Sequence, residues 1–413
     1  MRRIINALSL TLSGILIFFA ATWPMHADMI DGAMVVARTI LPPKILTQAT
    51  PYSFTIHDCY RPLVQAGSGS TGQFSVTIRP TTLPEGCKIT LSNGDTAAGK
   101  ILSGFPASMT SSNILFPGQR VTITIVNGTA TTDNPGRWKN ALGQIKWYVD
   151  PGGSDSNDCL ATGTARACAT AQAALTRAVY YSDNQGTTPI INMACTAHSS
   201  PLTMGGIPLG TQLVQISPDG NCSFDWFTGT SSPAITIGDL AELDLNLTYY
   251  GGSGSMRCQG NSGNASFTSG CIYFHGPSTV MDMEGTPTWF PSGSNDNGIF
   301  CDGYCQPIIA NGITQGAGSG HYVIMMSAGG KMTQSGTISG STSASISGIY
   351  WVWGNAMLIM TTANAAGATW TSGAPSLSTV QASSVFVNNG LTPSGGIAIG
   401  ASSVNCTSLS SGC

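Results

Sequence analysis

Short apolar stretches alternate with runs of glycine, serine, threonine and asparagine along almost the whole chain. Glycine alone accounts for 51 of the 413 residues. Because these residues favour turns and glycine destabilises helix interiors, the pattern argues against a helical protein. The length allows one large domain and a smaller one, and the sequence predicts an all-β architecture.

Charged side chains are scarce. They make up 8% of the chain, against roughly 25% in an ordinary soluble domain. The formal net charge is −3, and no stretch of the sequence supplies a basic stripe that could neutralise a phosphate backbone. We therefore expect no nucleic-acid partner.

The N-terminal segment has the composition of an export signal. Arg2 and Arg3 precede an apolar run over residues 7–23, and the small residue Ala27 stands at a suitable cleavage position. We predict a signal peptide over residues 1–27 and a location at the cell surface, in the periplasm or outside the cell. The alternative is an uncleaved membrane anchor, because the apolar run approaches the length of a short spanning helix.

Twelve cysteines, an even number in a chain predicted to be exported, favour disulfides. The competing idea is metal binding, but the paired CxxC spacing of structural zinc sites is absent and the histidines are scattered. We expect no metal and no cofactor. The sequence does not fix the connectivity, but nearest-neighbour pairing is the simplest hypothesis because each bridge closes a local loop. The pairs are then Cys59–Cys87, Cys159–Cys168, Cys195–Cys222, Cys258–Cys271, Cys301–Cys305 and Cys406–Cys413.

Residues 47–140 contain short runs of alternating apolar and polar residues, separated by glycine, proline and asparagine. In one run Val121, Ile123 and Ile125 fall on one face, which is the period of a half-buried strand. We predict a small antiparallel β-sandwich or barrel domain over these residues, with a linker or a docking strand over residues 28–46 before it.

The stretch from residue 147 to residue 175 combines a short apolar strand, a loop rich in aspartate, asparagine and glycine, and an alanine-rich segment. Ala171, Ala174 and Leu175 recur at helical spacing. We predict a helix over residues 169–180. Its place before a long series of strands indicates a cap, which would cover the open backbone groups and apolar interior of a strand stack.

The residues VDPGGSDSNDCLATGTARACATAQAALTRA resemble the entry motif of right-handed parallel β-helix proteins of the pectin-lyase-like and phage tailspike kind. Two positions depart from the family pattern, since Cys159 replaces a glycine and Ala171 replaces an isoleucine. The resemblance implies a right-handed parallel β-helix over residues 141–413, and it allows a homotrimer. A signal peptide is not expected on a phage virion component, which favours a cellular protein that shares modules with phage receptor-binding proteins.

The sequence after this motif also predicts stacked strands, independently of the family resemblance. Leu243, Leu245 and Leu247 alternate with polar residues, so one face of this strand points inward. Later apolar runs recur roughly every 20 to 30 residues, as stacked coils would. The alternative is an ordinary β-sandwich.

Two pairs of carboxylates, Glu242 with Asp244 and Asp282 with Glu284, are each two positions apart. Each pair therefore projects from one face of a strand, with side-chain bases about 7 Å apart. Such pairs are candidates for the catalytic residues of a polysaccharide depolymerase, either a hydrolase or a lyase. Any carboxylate-dependent site must lie early in the coils, because no aspartate or glutamate follows Asp302. The alternative is a polar outer face that keeps the surface soluble.

Aromatic residues near turns form a second group of candidates, because flat rings stack on sugar faces. The alternative is core packing, since strand alternation places half of such rings inside. The candidates for glycan binding are Trp226, Tyr249, Trp289, Trp351 and Trp353. We expect an exported protein that binds a polysaccharide or surface glycan, with a depolymerase or a non-catalytic structural surface protein as alternatives.

Overall fold

A computed structural model describes residues 28–406 of the chain, leaving out 31–32, 36–39, 70–71, 106–112, 134–135, 140–145, 185, 206–212, 228–231, 239, 248–254, 260–269, 285–286, 290–295, 310–311, 317, 336, 341–343, 361–368, 371–377, 382, 388–396 and 401–402. Within these residues the chain is mostly β-strand, with one short α-helix, and most strands lie in parallel sheets. The predicted all-β class is confirmed.

Two sheets precede the long series of parallel strands, and the chain alternates between them. Their inward faces share one apolar core, which includes Phe54, Val76, Leu91 and Ile123. The five-stranded mixed sheet has the order Thr129–Thr132, Arg120–Val126, Lys88–Asp95, Val64–Gly69 and Lys44–Leu46, and the four-stranded sheet has the order Tyr52–Ser53, Phe74–Thr77, Lys100–Ser103 and Ile114–Leu115.

The prediction of an antiparallel domain is wrong for several of these pairs. Val64–Gly69 pairs in parallel with both Lys44–Leu46 and Lys88–Asp95. Because consecutive strands enter different sheets, the chain comes back to the same sheet in the same direction. Period-2 alternation reports that a strand is half-buried, but it carries no information about the direction of its neighbour.

The segment expected to be a linker also contains strands. Lys44–Leu46 is an edge strand of the five-stranded mixed sheet. Asp28–Ile30 and Ala33–Val35 form a separate antiparallel pair. Two short 3₁₀-helices, Ile56–Tyr60 and Pro80–Thr82, lie among the later strands.

Four large parallel sheets contain most of the strands after residue 145, and each orders its strands as they occur in the chain. A small additional pair joins Trp138–Lys139 to Ser182–Asp183. The strands are Lys146–Val149, Ile190–Met193, Val214–Pro218, Glu242–Asn246 and Thr279–Glu284 in the first sheet; Ala197–His198, Ser223–Phe227, Ser255–Gln259, Thr288–Trp289, Gly312–Gln315, Thr337–Gly340 and Thr369–Trp370 in the seven-stranded sheet; Leu202–Met204, Ile235–Gly238, Gly270–His275, Asn297–Asp302, Gly318–Ser327, Ala344–Val352, Ser378–Val380 and Ile397–Ile399 in the eight-stranded sheet; and Ile308–Ile309, Lys331–Gln334, Met357–Met360, Val385–Val387 and Val404–Cys406 in the last sheet.

Successive strands visit three different sheets before the chain returns to the first. Val214–Pro218 is followed by Ser223–Phe227 and Ile235–Gly238, each in another sheet. The next strand, Glu242–Asn246, pairs in parallel with Val214–Pro218. Each circuit thus stacks on the preceding one and buries its inward side chains in a continuous core, which includes Trp147, Ile216, Phe224, Leu245, Phe274, Ile299, Ile324 and Val352.

The predicted cap helix begins with a short α-helix, α1, over Ala171–Thr176, which continues as a π-helix over Arg177–Tyr181. Thr170 is its N-cap, and its hydroxyl accepts a hydrogen bond from the backbone N–H of Ala173. The helix packs against the first strands of the stack. Its buried face is formed by the small residues that the sequence places at helical spacing, Ala171, Ala174 and Leu175.

The loop before α1 is bonded to the four-stranded sheet and its neighbouring turn. The buried carboxylate of Asp158 accepts the backbone N–H of Gly99 at 2.7 Å and the guanidinium of Arg166 at 2.6 and 3.1 Å. Gln73 adds a hydrogen bond from its side chain to Asn157 at 3.1 Å. These polar contacts tie the loop before α1 to the four-stranded sheet.

Five cysteine pairs lie at disulfide distance, and they are the first five pairs of the nearest-neighbour prediction. Cys406 is also disulfide-bonded, but its predicted partner Cys413 lies outside the described residues. Five bridges in one chain indicate an oxidising compartment.

In the part of the chain that the structure describes, no helix is both long and apolar enough to span a membrane. The predicted signal peptide over residues 1–27 lies outside that part.

Candidate functional site

The predicted catalytic carboxylates lie on the first parallel sheet. Glu242 and Asp244 are half-buried and alternate with inward leucines. In the neighbouring strand Asp282 is the register partner of Asp244, whereas Glu242 is opposite Thr279 and Glu284 is opposite an asparagine. A register shift in this strand pair therefore brings Asp244 and Asp282 side by side but does not align the two predicted pairs.

Two of the predicted glycan-binding rings are in the core. Trp226 is 0% exposed and Trp289 is 1% exposed. The indole N–H of Trp226 donates to the backbone carbonyl of Ser200 at 2.9 Å, so its polar atom is satisfied inside the protein. Both positions lie on the inward-facing side of their strands. Neither ring can therefore offer a face to a sugar. Tyr249 lies outside the described residues.

Trp351 and Trp353 lie on the outer face of the eight-stranded sheet. The residues between and before them, Val352 and Tyr350, are buried in the core. Trp351 is half-buried and Trp353 is 38% exposed. Their rings are stacked, with centroids 5.9 Å apart and an interplanar angle of 27°. Of the four predicted rings that the structure describes, these two are placed where a ligand could reach them.

Trp351 ends a row of large side chains that crosses four strands of this sheet. Tyr273, Phe300, Met325 and Trp351 are register partners from strand to strand. Tyr273 stacks on Phe300, with centroids 5.2 Å apart and an interplanar angle of 20°. Parallel pairing places residues of the same parity in one line, which explains the row. We call these four residues the outer apolar row.

A polar row lies two residues further along the same strands and consists of His275, Asp302 and Ser327, which are again register partners. The hydroxyl of Ser327 donates to Oδ1 of Asp302 at 2.7 Å. Nδ1 of His275 is 3.9 Å from Oδ2 of Asp302 and is hydrogen-bonded to the hydroxyl of Tyr273 at 3.1 Å. The two rows are thus joined into one hydrogen-bonded surface.

The order of these groups differs from that of a Ser-His-Asp catalytic triad. In a Ser-His-Asp triad the histidine accepts the proton of the serine, but here Ser327 donates directly to the carboxylate of Asp302. Burial, and then the negative charge of Asp302, raise the pKa of Tyr273 to about 12. The phenol therefore stays protonated at neutral pH. The surface offers hydrogen-bond donors and acceptors but no activated nucleophile.

An open cleft of about 320 Å³ lies where the two rows meet. Its floor is apolar and its wall is polar, a combination typical of small-ligand sites, and its volume is at the lower end of their range of about 300–1,000 Å³. The lining residues are Phe300, Asp302, Met325, Ser327, Ala328, Trp353 and Gly354.

Four successive strands of the eight-stranded sheet are followed by turns of similar backbone conformation beside the cleft. Gly276, Gly303, Ala328 and Gly354 each follow an outward residue and have positive φ angles of 71°, 75°, 52° and 65°. At Gly354 an added Cβ would come within 3.0 Å of the backbone nitrogen of Ala328. Glycine is needed there because of both the left-handed conformation and the close approach of the two turns.

Tyr304 is an aromatic residue at the rim of the cleft. It is 71% exposed, and its φ of 60° is unusual for a bulky side chain. The disulfide between Cys301 and Cys305 closes the turn that carries it. The ring of Tyr304 lies over Gly329, where an added Cβ would be 3.1 Å from the ring. The backbone N–H of Tyr304 donates to the backbone carbonyl of Ala328. A strained backbone that presents an exposed ring is common at ligand sites.

Sequence reasoning missed several of these residues: His275, Phe300, Asp302, Tyr304 and Ser327. A signal for some of them is present in the chain. The stretches IYFHG, IFCDG and YWVWG share one pattern, in which two outward positions alternate with inward ones and a glycine follows. Aligning the three stretches would have placed Tyr273, Phe300 and Trp351 in one row.

The aspartates of the loop before α1 form their contacts within the protein. Asp155 accepts hydrogen bonds from the backbone N–H and the hydroxyl of Thr170, at 2.9 and 3.0 Å, and Asp158 pairs with Arg166. Among the residues with described positions, no group of three or more His, Cys, Asp or Glu side chains is arranged to hold a metal ion.

Comparison with known proteins gives no matching family model, no matching curated protein and no matching solved structure. The function is therefore inferred from the geometry of the site and from the sequence.

Proposed function

We propose that this chain is an exported β-helix protein that binds a polysaccharide or surface glycan on the outer face of its eight-stranded sheet. The four large parallel sheets would be the faces of a right-handed parallel β-helix, with α1 as its cap and the two early sheets as a small domain before it. Sequential parallel stacking of the circuits supports the β-helix, and the disulfides support a location outside the cytoplasm.

The observation that carries this function is the cleft between Trp353 and Asp302. Sugars present apolar C–H faces that pack on aromatic rings, and hydroxyls that exchange hydrogen bonds with carboxylates and serine hydroxyls. Trp353 supplies an exposed ring, while Asp302 and Ser327 supply polar atoms in the same lining. Both kinds of contact are available to one sugar residue.

The extent of the surface suits a chain-like ligand. The outer apolar row crosses four adjacent strands, and neighbouring strands are about 4.8 Å apart. A glycan that runs across the strands would pass from the cleft toward Tyr273. Within the row it would meet the half-buried rings of Tyr273 and Trp351, because Phe300 and Met325 are buried.

The test is incubation of the oxidised protein with a panel of polysaccharides, followed by analysis of every retained glycan for shortened products. Retention of an intact glycan is the expected result. If no glycan is retained, the binding function is wrong, and self-association of a structural surface protein becomes the better explanation. Sedimentation in the absence of glycan would then measure the assembly, including the homotrimer that the family resemblance allows.

One observation favours a depolymerase as the second candidate. Asp244 and Asp282 are register partners in adjacent strands, and a strand spacing of about 4.8 Å is close to the roughly 5–5.5 Å between the carboxyl groups of retaining glycosidases. Shortened products that disappear in the Asp244→Asn variant, with glycan retention unchanged, would establish this activity. Asp225→Asn, on the seven-stranded sheet, is the control.

A further inference from the structure

The described residues that line the cleft include one negatively charged side chain, Asp302, and no positively charged one. The side chain of Asp302 is 33% exposed, and its carboxylate lies in the lining of the cleft. Across the described ranges, no lysine or arginine lies within ion-pair distance of this carboxylate. Its neighbours are the Ser327 hydroxyl, the ring of His275, whose Nδ1 is 3.9 Å away, and the hydroxyl of Tyr273, whose pKa the carboxylate raises. The charge of Asp302 is therefore available to a ligand.

The carboxylate has capacity for another donor. An ionised carboxylate offers about four acceptor sites, and the hydroxyls of Ser327 and Tyr273 use at most two of them. The exposed ring of Trp353 lines the same cleft, and the buried ring of Phe300 lies in its floor. The face of an aromatic ring carries negative charge density and attracts a cation within about 6 Å of its centroid. Carboxylate and rings thus favour the same kind of ligand group.

We propose that the cleft binds the protonated amine of a hexosamine unit, with the ammonium group on Asp302 and the sugar ring against Trp353. This inference rests on the proposed glycan-binding function and specifies the class of sugar. N-acetylation would remove the positive charge, and a uronic acid would place a second carboxylate beside Asp302. The cleft would therefore discriminate against both.

The experiment compares two glucosamine oligomers of equal length, one fully deacetylated and one fully N-acetylated, by calorimetric titration of the oxidised protein. We expect the deacetylated oligomer to bind about tenfold or more tightly, because hydrogen bonds between charged groups are roughly twice as strong as those between neutral groups. Higher salt should reduce this preference.

Asp302→Asn keeps an oxygen that can accept from Ser327 but removes the charge, so it should abolish the preference. Asp225→Asn, whose carboxylate pairs with Arg257 on another sheet, should leave the preference intact. Equal binding of the two oligomers by the unmodified protein overturns the amine proposal whether or not the variants fold. Binding of other glycans but of neither oligomer overturns it as well and leaves glycan binding standing, whereas failure to bind any glycan removes both.

Discussion

Trp351 and Trp353 lie on one outer face of the eight-stranded sheet with their rings stacked at a centroid distance of 5.9 Å. Trp351 also packs against His321 and Tyr322, at centroid distances of 5.1 and 5.3 Å. The ring of Trp351 is therefore held in place by His321 and Tyr322. It in turn supports the ring of Trp353 beside the cleft. A rigid exposed ring loses little conformational entropy when a ligand packs on it.

Replacement of Trp353 by alanine should separate binding from stability. We expect Trp353→Ala to weaken the affinity for the retained glycan about tenfold while the unfolding free energy changes little, because the ring is at the surface. Trp226→Ala is the contrasting variant. It removes a fully buried ring and should cost about 3–5 kcal/mol of stability. Calorimetric binding and urea unfolding of both variants check this prediction, and unchanged affinity in Trp353→Ala would contradict it.

Removal of the Cys301–Cys305 bridge should affect binding more than stability. The bridge closes a turn with a sequence separation of 4, so loop entropy predicts a loss of only about 2 kcal/mol. The turn carries Asp302 and Tyr304, however, and its loosening should lower glycan affinity.

The serine double variant of Cys195 and Cys222 is the matched control for this bridge. Its sequence separation is 27, which predicts a larger stability loss of about 3.5 kcal/mol. Glycan affinity should nevertheless be retained at temperatures where this variant is folded. If the two double variants lose affinity equally, the turn has no special role in the site.

Asp158 should be essential for joining the loop before α1 to the four-stranded sheet. Asp158→Ala removes the partner of the Gly99 N–H and leaves the mostly buried Arg166 without its counter-charge. We expect a loss of roughly 3 kcal/mol in urea unfolding. The more exposed pair of Asp225 and Arg257 is the control, and Asp225→Ala should cost less than about 1 kcal/mol. Similar losses in the two variants would show that Asp158 has no special role.

The stability of the fold should decrease on mild acidification because of His198. Burial lowers the pKa of this ring, which is hydrogen-bonded through Nε2 to the carbonyl of Ala194 at 3.0 Å. The unfolded chain takes up a proton near pH 6.5, and the folded protein does so only at lower pH. Stability attributable to His198 is therefore full above about pH 6.5 and declines as the pH falls toward the lowered pKa.

Urea unfolding at about pH 7.5 and about pH 5.5 measures this effect. His198→Gln keeps an N–H donor for Ala194 and cannot be protonated, so its stability should fall less between the two values. His321, whose pKa is also lowered by burial, should account for part of the remaining decline. An identical decline in the His198→Gln variant would contradict the assignment.

The sequence was sufficient for features that depend on local spacing. The helix that begins at Ala171 follows from the spacing of Ala171, Ala174 and Leu175, and five bridges follow from nearest-neighbour pairing because each closes a local loop. The direction of strand pairing in the early sheets was not predictable from alternation. It depends on the return path of the chain, which a period of two does not encode.

The candidate site was only partly predictable, because it is built from register between circuits. Alternation indicated that Trp351 and Trp353 share a face, but not that the face is the outer one. Trp226 has the same kind of local sequence and is inside. Asp302 and Ser327 become neighbours only when strands of unequal spacing are stacked, and no short stretch of sequence contains both.

A crystal structure of the oxidised protein with the most tightly retained oligosaccharide tests the central claim most directly. The proposal predicts a sugar residue in the cleft, with its apolar face on Trp353 and a polar substituent within hydrogen-bond distance of Asp302. An oligosaccharide bound at the Asp244 and Asp282 strands, or anywhere else with the cleft empty, would contradict it.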